Sequence, residues 1–362
     1  MQHHEVAIVG AGPAGSVCAM ELAKAGVDVA LFDHSHPREK PCGGAISARV
    51  LSEFKISKKA YETEFDFLIL ENQKGDKIEI CHKGMGILVM RQKFDQYLLN
   101  KALKEEPTFY KEKVTKISKK NDEWLLKTNK NIITAKKLIG ADGVNSLVRK
   151  TVSEPISKEH LGHCVGYHIP HKNEHISEKF SKAVELYFVG PPDLNIGYIW
   201  IFPKFQDITI GIGAKIGTPK LTNSLNRFLE LHPAAKRINI PKELKLHSHL
   251  VPMISNPKFY DLPTSGENWM LIGDAAGHVN SISGEGVYYA MIGGKLAAKA
   301  YAEEEIYSYE EMWKKKFGYE LRRGAFLQQW FYKPIIINNI IKLAKRSNII
   351  RNYLYNLITN QK

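Results

Sequence analysis

Val6-Ala7-Ile8-Val9-Gly10-Ala11-Gly12-Pro13-Ala14-Gly15 is the stretch that decides the fold. Four apolar residues in a row read as a short buried strand, and the Gly-x-Gly-x-x-Gly spacing that follows opens a helical stretch to Ala25, which Gly26 stops. A second strand over residues 27–32 ends in Asp33, 23 residues after Gly10. Gly10 allows a tight turn, Gly12 lets the backbone approach a pyrophosphate, and Gly15 permits close packing of helix on strand. Pro13 and Ala14 stand at the helix N-terminus, whose free N–H groups and positive dipole end suit a diphosphate. Asp33 is placed to accept hydrogen bonds from ribose hydroxyls. The glycines alone would also fit a simple Gly-rich turn. With strand, helix, second strand and terminal acid in register, they predict an α/β dinucleotide fold. The fingerprint serves NAD and FAD equally, since both carry ADP.

Two later segments bear on that choice. Leu138-Ile139-Gly140-Ala141-Asp142-Gly143 and Trp269-Met270-Leu271-Ile272-Gly273-Asp274-Ala275-Ala276-Gly277 each put a carboxylate at the end of an apolar strand. The second continues through Gly284, Gly286 and Val287 into a small-residue helix over 288–300. This layout offers Asp274 to ribityl or phosphate-adjacent groups and points a helix N-terminus at a flavin's pyrimidine edge, where a reduced ring develops negative charge. Singly, Asp142 and Asp274 read equally well as turn-forming acids. With the N-terminal fingerprint, the three segments resemble the glutathione-reductase-type FAD fold of aromatic hydroxylases and their relatives, across about 300 residues. That resemblance implies FAD as cofactor, with Gly273 among its contacts. It also implies that Arg91, in a run matching the family's Arg-x-x-Phe-Asp helix start (Arg91, Phe94, Asp95), touches the flavin side chain. A solvated helix-end charge is the other reading of Arg91. Val114, in a strand over 113–118, matches a position whose backbone meets the adenine; alone it is an ordinary strand valine.

Between the nucleotide segments, alternating apolar and polar residues over 65–70, 77–80, 183–189, 198–202 and 208–214 predict an inserted antiparallel β-sheet domain for the substrate. The expected division is a discontinuous FAD domain (1–60, 88–160, 256–300), a substrate domain (61–87, 161–255) and a basic C-terminal helical segment (301–362). The active site is expected between lobe and flavin. Lys40-Pro41-Cys42-Gly43-Gly44 would bring backbone close to the isoalloxazine ring, making Cys42, Gly43 and Gly44 cofactor contacts. Gly197-Tyr198-Ile199-Trp200-Ile201-Phe202-Pro203 is followed after seven residues by Gly211-Ile212-Gly213. These runs, with Gly-Asp-Ala-Ala-Gly-x-Val-Asn, resemble the motifs of geranylgeranyl reductases. Tyr198, Trp200 and Phe202 share one strand face at period two, so three aromatic walls point the same way. Without the family pattern this is a packed sheet core; with it, a pocket for an isoprenoid chain. One departure is Ser281 where relatives usually carry proline.

The resemblance implies saturation of isolated C=C bonds in geranylgeranyl chains, on archaeal-type glycerophospholipids or on a chlorophyll precursor. Hydride from the flavin would be matched by a proton, with Tyr198 and Trp200 steadying a developing cation. Cys42 is the titratable group placed nearest the flavin, a buried structural cysteine being the alternative. No second dinucleotide fingerprint exists, so NADPH visiting transiently or a ferredoxin would supply electrons. The main rival is a monooxygenase or halogenase on the same scaffold. A lipid-binding module with structural flavin and an isoprenoid cyclase are the others.

Composition narrows the setting. Hydrophobic residues at 44% and charged residues at 25% sit near globular averages, which excludes a disordered or fibrous chain. The net charge is +13, and residues 321–362 hold eight basic residues (Arg322, Arg323, Lys333, Lys342, Lys345, Arg346, Arg351, Lys362) and no acid. Interleaved with Trp330, Ile335, Ile336, Ile349 and Tyr353, they predict broken amphipathic helices that either lie on an anionic lipid surface or cap the core. No nucleic-acid reading motif accompanies this charge. The four cysteines lie far apart, without Cys-x-x-Cys or zinc spacing, so no metal is expected, and reduced thiols in a cytoplasmic protein, peripheral on the membrane face at most, are.

Overall fold

A computed structural model describes residues 2–40, 42–171, 177–189, 196–241, 243–303 and 305–359. Pro41 and Lys362, quoted above, lie outside the described residues. The chain divides into two compact units: residues 1–38, 94–160 and 252–325 in the first, residues 39–93, 161–251 and 326–362 in the second.

The first unit is built on a parallel sheet. Gln2–Val9 lies between Val29–Phe32 and Ile132–Gly140, with Thr108–Tyr110 beyond one and Trp269–Leu271 beyond the other, all parallel. This is the doubly wound order of a dinucleotide fold. Every residue of Val29–Phe32 is buried, as expected for a strand covered on both faces. On one face Ala7, Val9, Phe32 and Leu138 meet Ile117, Trp124 and Leu126 of the antiparallel strands Val114–Lys120 and Glu123–Thr128. Helix Pro13–Lys24 meets helix Val287–Ala302, and Gly294 is why they can touch: a Cβ there would lie against the carbonyl oxygen of Ala14 and 3.1 Å from the Cys18 amide nitrogen.

The second unit is an eight-stranded sheet in the order His247–Pro252, Leu161–Pro170, Asp207–Lys215, Gly197–Pro203, Ala183–Phe188, Thr63–Asn72, Lys77–Leu88, Ala45–Ser47. The expected antiparallel pattern holds for most pairs, but Ala183–Phe188 runs parallel to Thr63–Asn72, so the sheet is mixed. Helices Leu221–Leu231 and Pro233–Lys236 cover one face, where Leu225, Phe228 and Ala235 pack on Ile199, Ile201, Ile210 and Ile212.

The units divide the chain differently from the expected boundaries. Residues 39–60 and 88–93 fall with the second sheet, because Ala45–Ser47 pairs with the end of Lys77–Leu88. Residues 301–362 do not stand apart. Tyr309 and Trp313 bury themselves in the first unit, while helices Pro334–Ala344 and Asn348–Thr359 pack on strands Thr63–Asn72 and Lys77–Leu88 of the second. No helix among the described residues is long and apolar enough to cross a membrane.

The contact at Gly294 yields a prediction. Gly294→Val forces the two helices apart and is expected to destabilise the protein by about 1–3 kcal/mol, the usual range for overpacking. Gly26→Ala, at a helix end where a Cβ meets nothing within 4 Å, measures the backbone effect without a clash. Chemical denaturation of both variants checks the difference.

Candidate functional site

In the first unit, the turn at Gly10 has φ +101°, a left-handed region that favours glycine, and a Cβ there would meet the backbone of Ala141 and Asp142. Gly15 packs on the Gly10 carbonyl so closely that no side chain fits. Gly12 differs: its missing Cβ faces open space, with only Nη2 of Arg38 at 3.6 Å. Pro13 opens the helix, so the position lacking an N–H costs no hydrogen bond. An open face at a helix N-terminus, edged by a guanidinium, fits a diphosphate.

Asp33 is buried beside that face. Its Oδ2 accepts from the Ala11 amide at 2.9 Å, its Oδ1 from the Ser35 amide at 2.7 Å and hydroxyl at 2.6 Å, and Arg38 Nη1 lies 3.2 Å from Oδ2. Burial opposes ionisation, but Arg38 and the Ser35 and Ala11 donors outweigh it and pull the Asp33 pKa down to about 2. Arg38 was not singled out in the sequence; its signal was a cation five residues beyond the strand-ending acid.

The two other acids are used differently. The carboxylate of Asp142 is occupied by its own chain, accepting from the Ser146 hydroxyl and the amides of Leu147 (2.6 Å) and Val148 (3.2 Å) at the start of helix Leu147–Val152. Burial nevertheless raises its pKa, against those hydrogen bonds. Asp274 has no side-chain hydrogen-bond partner among the described residues, and its Oδ1 lies 3.6 Å from where a Gly286 Cβ would stand. That free carboxylate, beside the N-terminus of helix Val287–Ala302, fits a hydroxyl-bearing ligand. Its loop is braced by Arg149, which the sequence did not flag: Nη1 donates to Ala275 O at 3.1 Å and Nε to Glu154 O at 2.6 Å, over the ring of Phe259. Gly273 (φ +60°) and Gly284 (φ +72°) take left-handed turns in the same loop. Ser281, in the place of the family's proline, ties the loop by donating to Ile254 O at 2.9 Å. Val114 is buried at the first residue of strand Val114–Lys120.

In the second unit, strand Gly197–Pro203 carries Tyr198, Trp200 and Phe202 on one face, opposite Gly213, Gly211 and Thr209 of the neighbouring strand. Gly211 is what admits the tryptophan: a Cβ there would lie 2.7 Å from Trp200 Cε2, whereas one on Gly213 would make only ordinary contact with Cζ3 at 3.5 Å. Gly43 has no room for a Cβ against Phe202, and Trp200 Cδ1 stands 3.1 Å from that point, so the Cys42–Gly44 loop lies on the aromatic face. Tyr198 packs edge-on to Trp200 (6.3 Å) and Phe188 (6.2 Å), and Phe188 meets Phe331 and Tyr332. Cys164, opposite Gly213, has its Sγ 3.1 Å from the position of a Gly213 Cβ. Burial, with Cys42 nearby, pushes the Cys164 pKa up to about 12, and burial with both thiols raises that of Tyr198. Arg91 is buried at the first residue of helix Arg91–Leu103, which excludes the solvated reading of that charge. Among the described residues no cluster of His, Cys, Asp or Glu could hold a metal ion.

Below the Cys42–Gly44 loop lies a charged group that the sequence did not announce. Lys204 is 2% exposed; its ammonium donates to Thr209 Oγ1 and stands 3.5 Å from Asp207 Oδ1, which also receives His168 Nδ1 at 3.2 Å.

Over residues 3–299 the chain matches the FAD binding domain family. It belongs to that family. An uncharacterised protein of Methanosarcina barkeri is 32% identical over 98% of this chain and 88% of its own length. A digeranylgeranylglycerophospholipid reductase of Methanocaldococcus jannaschii is 28% identical (86% of this chain, 83% of the relative), and a geranylgeranyl diphosphate reductase of Rhodobacter capsulatus 31% identical (82% and 74%). Among solved structures, a geranylgeranyl bacteriochlorophyll reductase-like protein from Thermoplasma acidophilum superposes with a TM-score of 0.80 at 22% identity, covering 96% of this chain and 92% of its own. The flavin-dependent brominase Bmp2 gives 0.76 at 19%, covering 99% and 94%. At these identities both likenesses speak to the fold. The FAD-type fold and the FAD cofactor implied by the resemblance of the three nucleotide segments are borne out, as is the resemblance to geranylgeranyl reductases.

The low pKa of Asp33 carries a pH prediction. Ordinarily near 3.8, the carboxyl ionises at about 2 when folded, so its stabilisation is complete above about pH 4 and is lost as pH falls through 2. The difference corresponds to on the order of 2 kcal/mol. Asp33→Asn is expected to flatten the stability profile between pH 4 and 2, measured by denaturant unfolding against pH.

Proposed function

We propose that the protein is an FAD-dependent oxidoreductase that saturates C=C bonds of geranylgeranyl chains on archaeal-type membrane glycerophospholipids. The observation that carries the reading is the aromatic face of Tyr198, Trp200 and Phe202, with Trp200 seated over Gly211 and the Cys42 loop laid across it. The named reductases among the relatives support the reaction class. An isolated alkene carries no activating group, so hydride at one carbon requires a proton at the other.

FAD, when bound and reduced, would supply the hydride, with NADPH or a ferredoxin as the source of its electrons. Gly10, Gly12, Pro13, Ala14 and Gly15 bind its diphosphate through the helix N-terminus, Asp33 its ribose, and Asp274 a hydroxyl further along. Val114 and Asp142 contribute backbone contacts, as do Gly273, Gly284, Gly286 and Val287 at the second helix; Arg91, Gly43 and Gly44 complete the set. The chain's own residues do the rest. The electron-rich faces of Tyr198 and Trp200 favour positive charge developing at a tertiary carbon, and the aromatic surface keeps water from competing as a nucleophile. Cys42 holds the proton.

The C-terminal helices fit a lipid substrate. Ile337, Ile341 and Leu354 are buried on the second sheet, and Lys345 pairs with Asp76 at 2.6 Å, so the segment caps the core. Ile335, Leu343, Ile349 and Tyr353 remain exposed, Ile349 at 82%, among exposed Lys333, Lys342 and Arg346. Apolar side chains ringed by cations suit an anionic membrane surface, each cation contributing about 1 kcal/mol.

Dithionite-reduced protein incubated without oxygen with a geranylgeranylated glycerophospholipid is expected to yield a product heavier by two hydrogens per saturated bond. An isomer of unchanged mass would instead mean cyclisation. Hydroxylated lipid or substrate-stimulated peroxide in air would mean oxygen chemistry. In vesicle flotation, the triple change of Ile335, Leu343 and Ile349 to Ser is expected to abolish binding to anionic phosphatidylglycerol vesicles. Salt should weaken binding of the unmodified protein.

A further inference from the structure

A lysine this deeply buried needs a reason. Removing an ammonium from water is strongly unfavourable unless it is paired, and the pairing around Lys204 is asymmetric. On one side are Thr209 and Asp207, the latter held in turn by His168. His168 lies 4.0 Å from Glu39 and edge-on to His247, and His171 Nε2 stands 2.9 Å from the Lys204 backbone carbonyl. On the other side is the Cys42–Gly44 loop: Lys204 Cε lies 3.2 Å from where a Cβ on Gly44 would stand. Gly44 is at φ +81° and a Cβ there would also strike the Val89 carbonyl, so the loop rests directly on the lysine stem. The lysine therefore joins a carboxylate–histidine group to the thiol-bearing loop.

We propose that Lys204 is the positioning residue that keeps Cys42 supplied with protons, its ammonium stabilising the Cys42 thiolate and returning a proton to it. This rests on the reading of Cys42 as proton holder in alkene reduction. In the step itself the Cys42 S–H bond and the alkene π bond break and two C–H bonds form, one with the Cys42 proton and one with the hydride that the reduced cofactor would supply. A thiolate is left. One N–H bond of the Lys204 ammonium then breaks, the S–H bond re-forms, and a neutral amine stays beside Asp207. Solvent returns the proton by way of His168 and Asp207, so the chain ends the cycle unchanged.

The electrostatics agree with this role. Burial lowers the Lys204 pKa, bringing its proton within reach of transfer, while Asp207, Cys42 and Glu39 oppose that loss. Asp207 is pushed up by burial, yet His168 and Lys204 leave it below the usual carboxylate range, so it stays an anion to hold the ammonium. Burial, His168 and Lys245 lower the His247 pKa against the pull of Glu39 and Asp207, leaving a neutral ring at the outer end. A hydrocarbon side chain in place of Lys204 would satisfy packing and do none of this.

The test uses full-length protein and needs no lipid. Iodoacetamide labelling of Cys42 is followed by peptide mass spectrometry from pH 6 to 10, with exposed Cys81 as internal reference. Lys204→Met is expected to raise the pH midpoint of Cys42 labelling by about one unit, which slows labelling about tenfold at pH 7.5. Asp207→Asn, which leaves the ammonium without its counter-ion and so favours the amine, is expected to move the midpoint the same way and covers the case in which Lys204→Met does not fold. An unchanged Cys42 midpoint in a folded variant, or an equal shift at Cys81, overturns the proposal. Failure of the lipid assay with the Cys42 shift intact would count against the substrate, not against the lysine–thiol pairing.

Discussion

The first unit depends on one steric fact: the hydrogen of Gly15 lies where any side chain would strike the carbonyl of Gly10. That approach lets helix Pro13–Lys24 start directly against the end of the first strand, and it aims the free amides of the first turn outward past Gly12. The arrangement is continued by Gly294, where the helix Val287–Ala302 comes against Ala14. Two helix N-termini, two turns and three acids from separate parts of the chain are thus gathered around backbone contacts that only hydrogen-sized side chains permit. The conformational entropy lost in fixing these glycines is offset by strands buried on both faces, and the result is a pre-formed anion cradle.

The second unit uses the same device for the opposite purpose. Gly211 leaves a trough in the sheet surface that the indole of Trp200 fills, and Gly43 lets a loop lie flat on the rings. Ile199 and Ile201, one residue out of phase, face the helices, so the alternation of the strand separates structural packing from the aromatic surface. A side chain at Gly211 would collide with the indole of Trp200, whereas one at Gly213 would press on the Cys164 sulfur. The apolar core of the sheet lies on the other face.

Period and spacing made most of this legible. The fingerprint located the parallel sheet because Gly-x-Gly-x-x-Gly constrains contacts within a few residues, and the Tyr198-Trp200-Phe202 face followed from period two. What escaped depends on pairing between distant segments. Cys164 joins the aromatic face only through its register with Gly213, 49 residues away in the chain. Ala183–Phe188 runs parallel to Thr63–Asn72, and alternation within a strand carries no information on a neighbour's direction. Asp142 showed the same strand-end position as Asp274, yet one carboxylate is consumed by helix Leu147–Val152 and the other is free. The difference was visible as Ser146, four residues on, a helix-capping residue that Asp274 lacks at the same spacing.

Lys204 sharpens the distinction between what a fold needs and what a reaction needs. It follows Pro203 in the aromatic motif, at the strand end, where a lysine would ordinarily turn to solvent. Buried ion pairs seldom stabilise a protein relative to well-packed apolar groups, because the desolvation of two charges is about as large as their attraction. Thr209, Asp207, His168 and Glu39 therefore do more to make the ammonium tolerable than to make the protein stable. Such an assembly has a physical rationale where its members exchange protons with a neighbour. The neighbour within reach is the loop that carries Cys42, laid over the lysine stem by the left-handed turn at Gly44. Gly44 thus sets how closely the lysine stem approaches the thiol-bearing loop, next to the Gly43 that lies on the rings, and steric and electrostatic design meet in the same few residues.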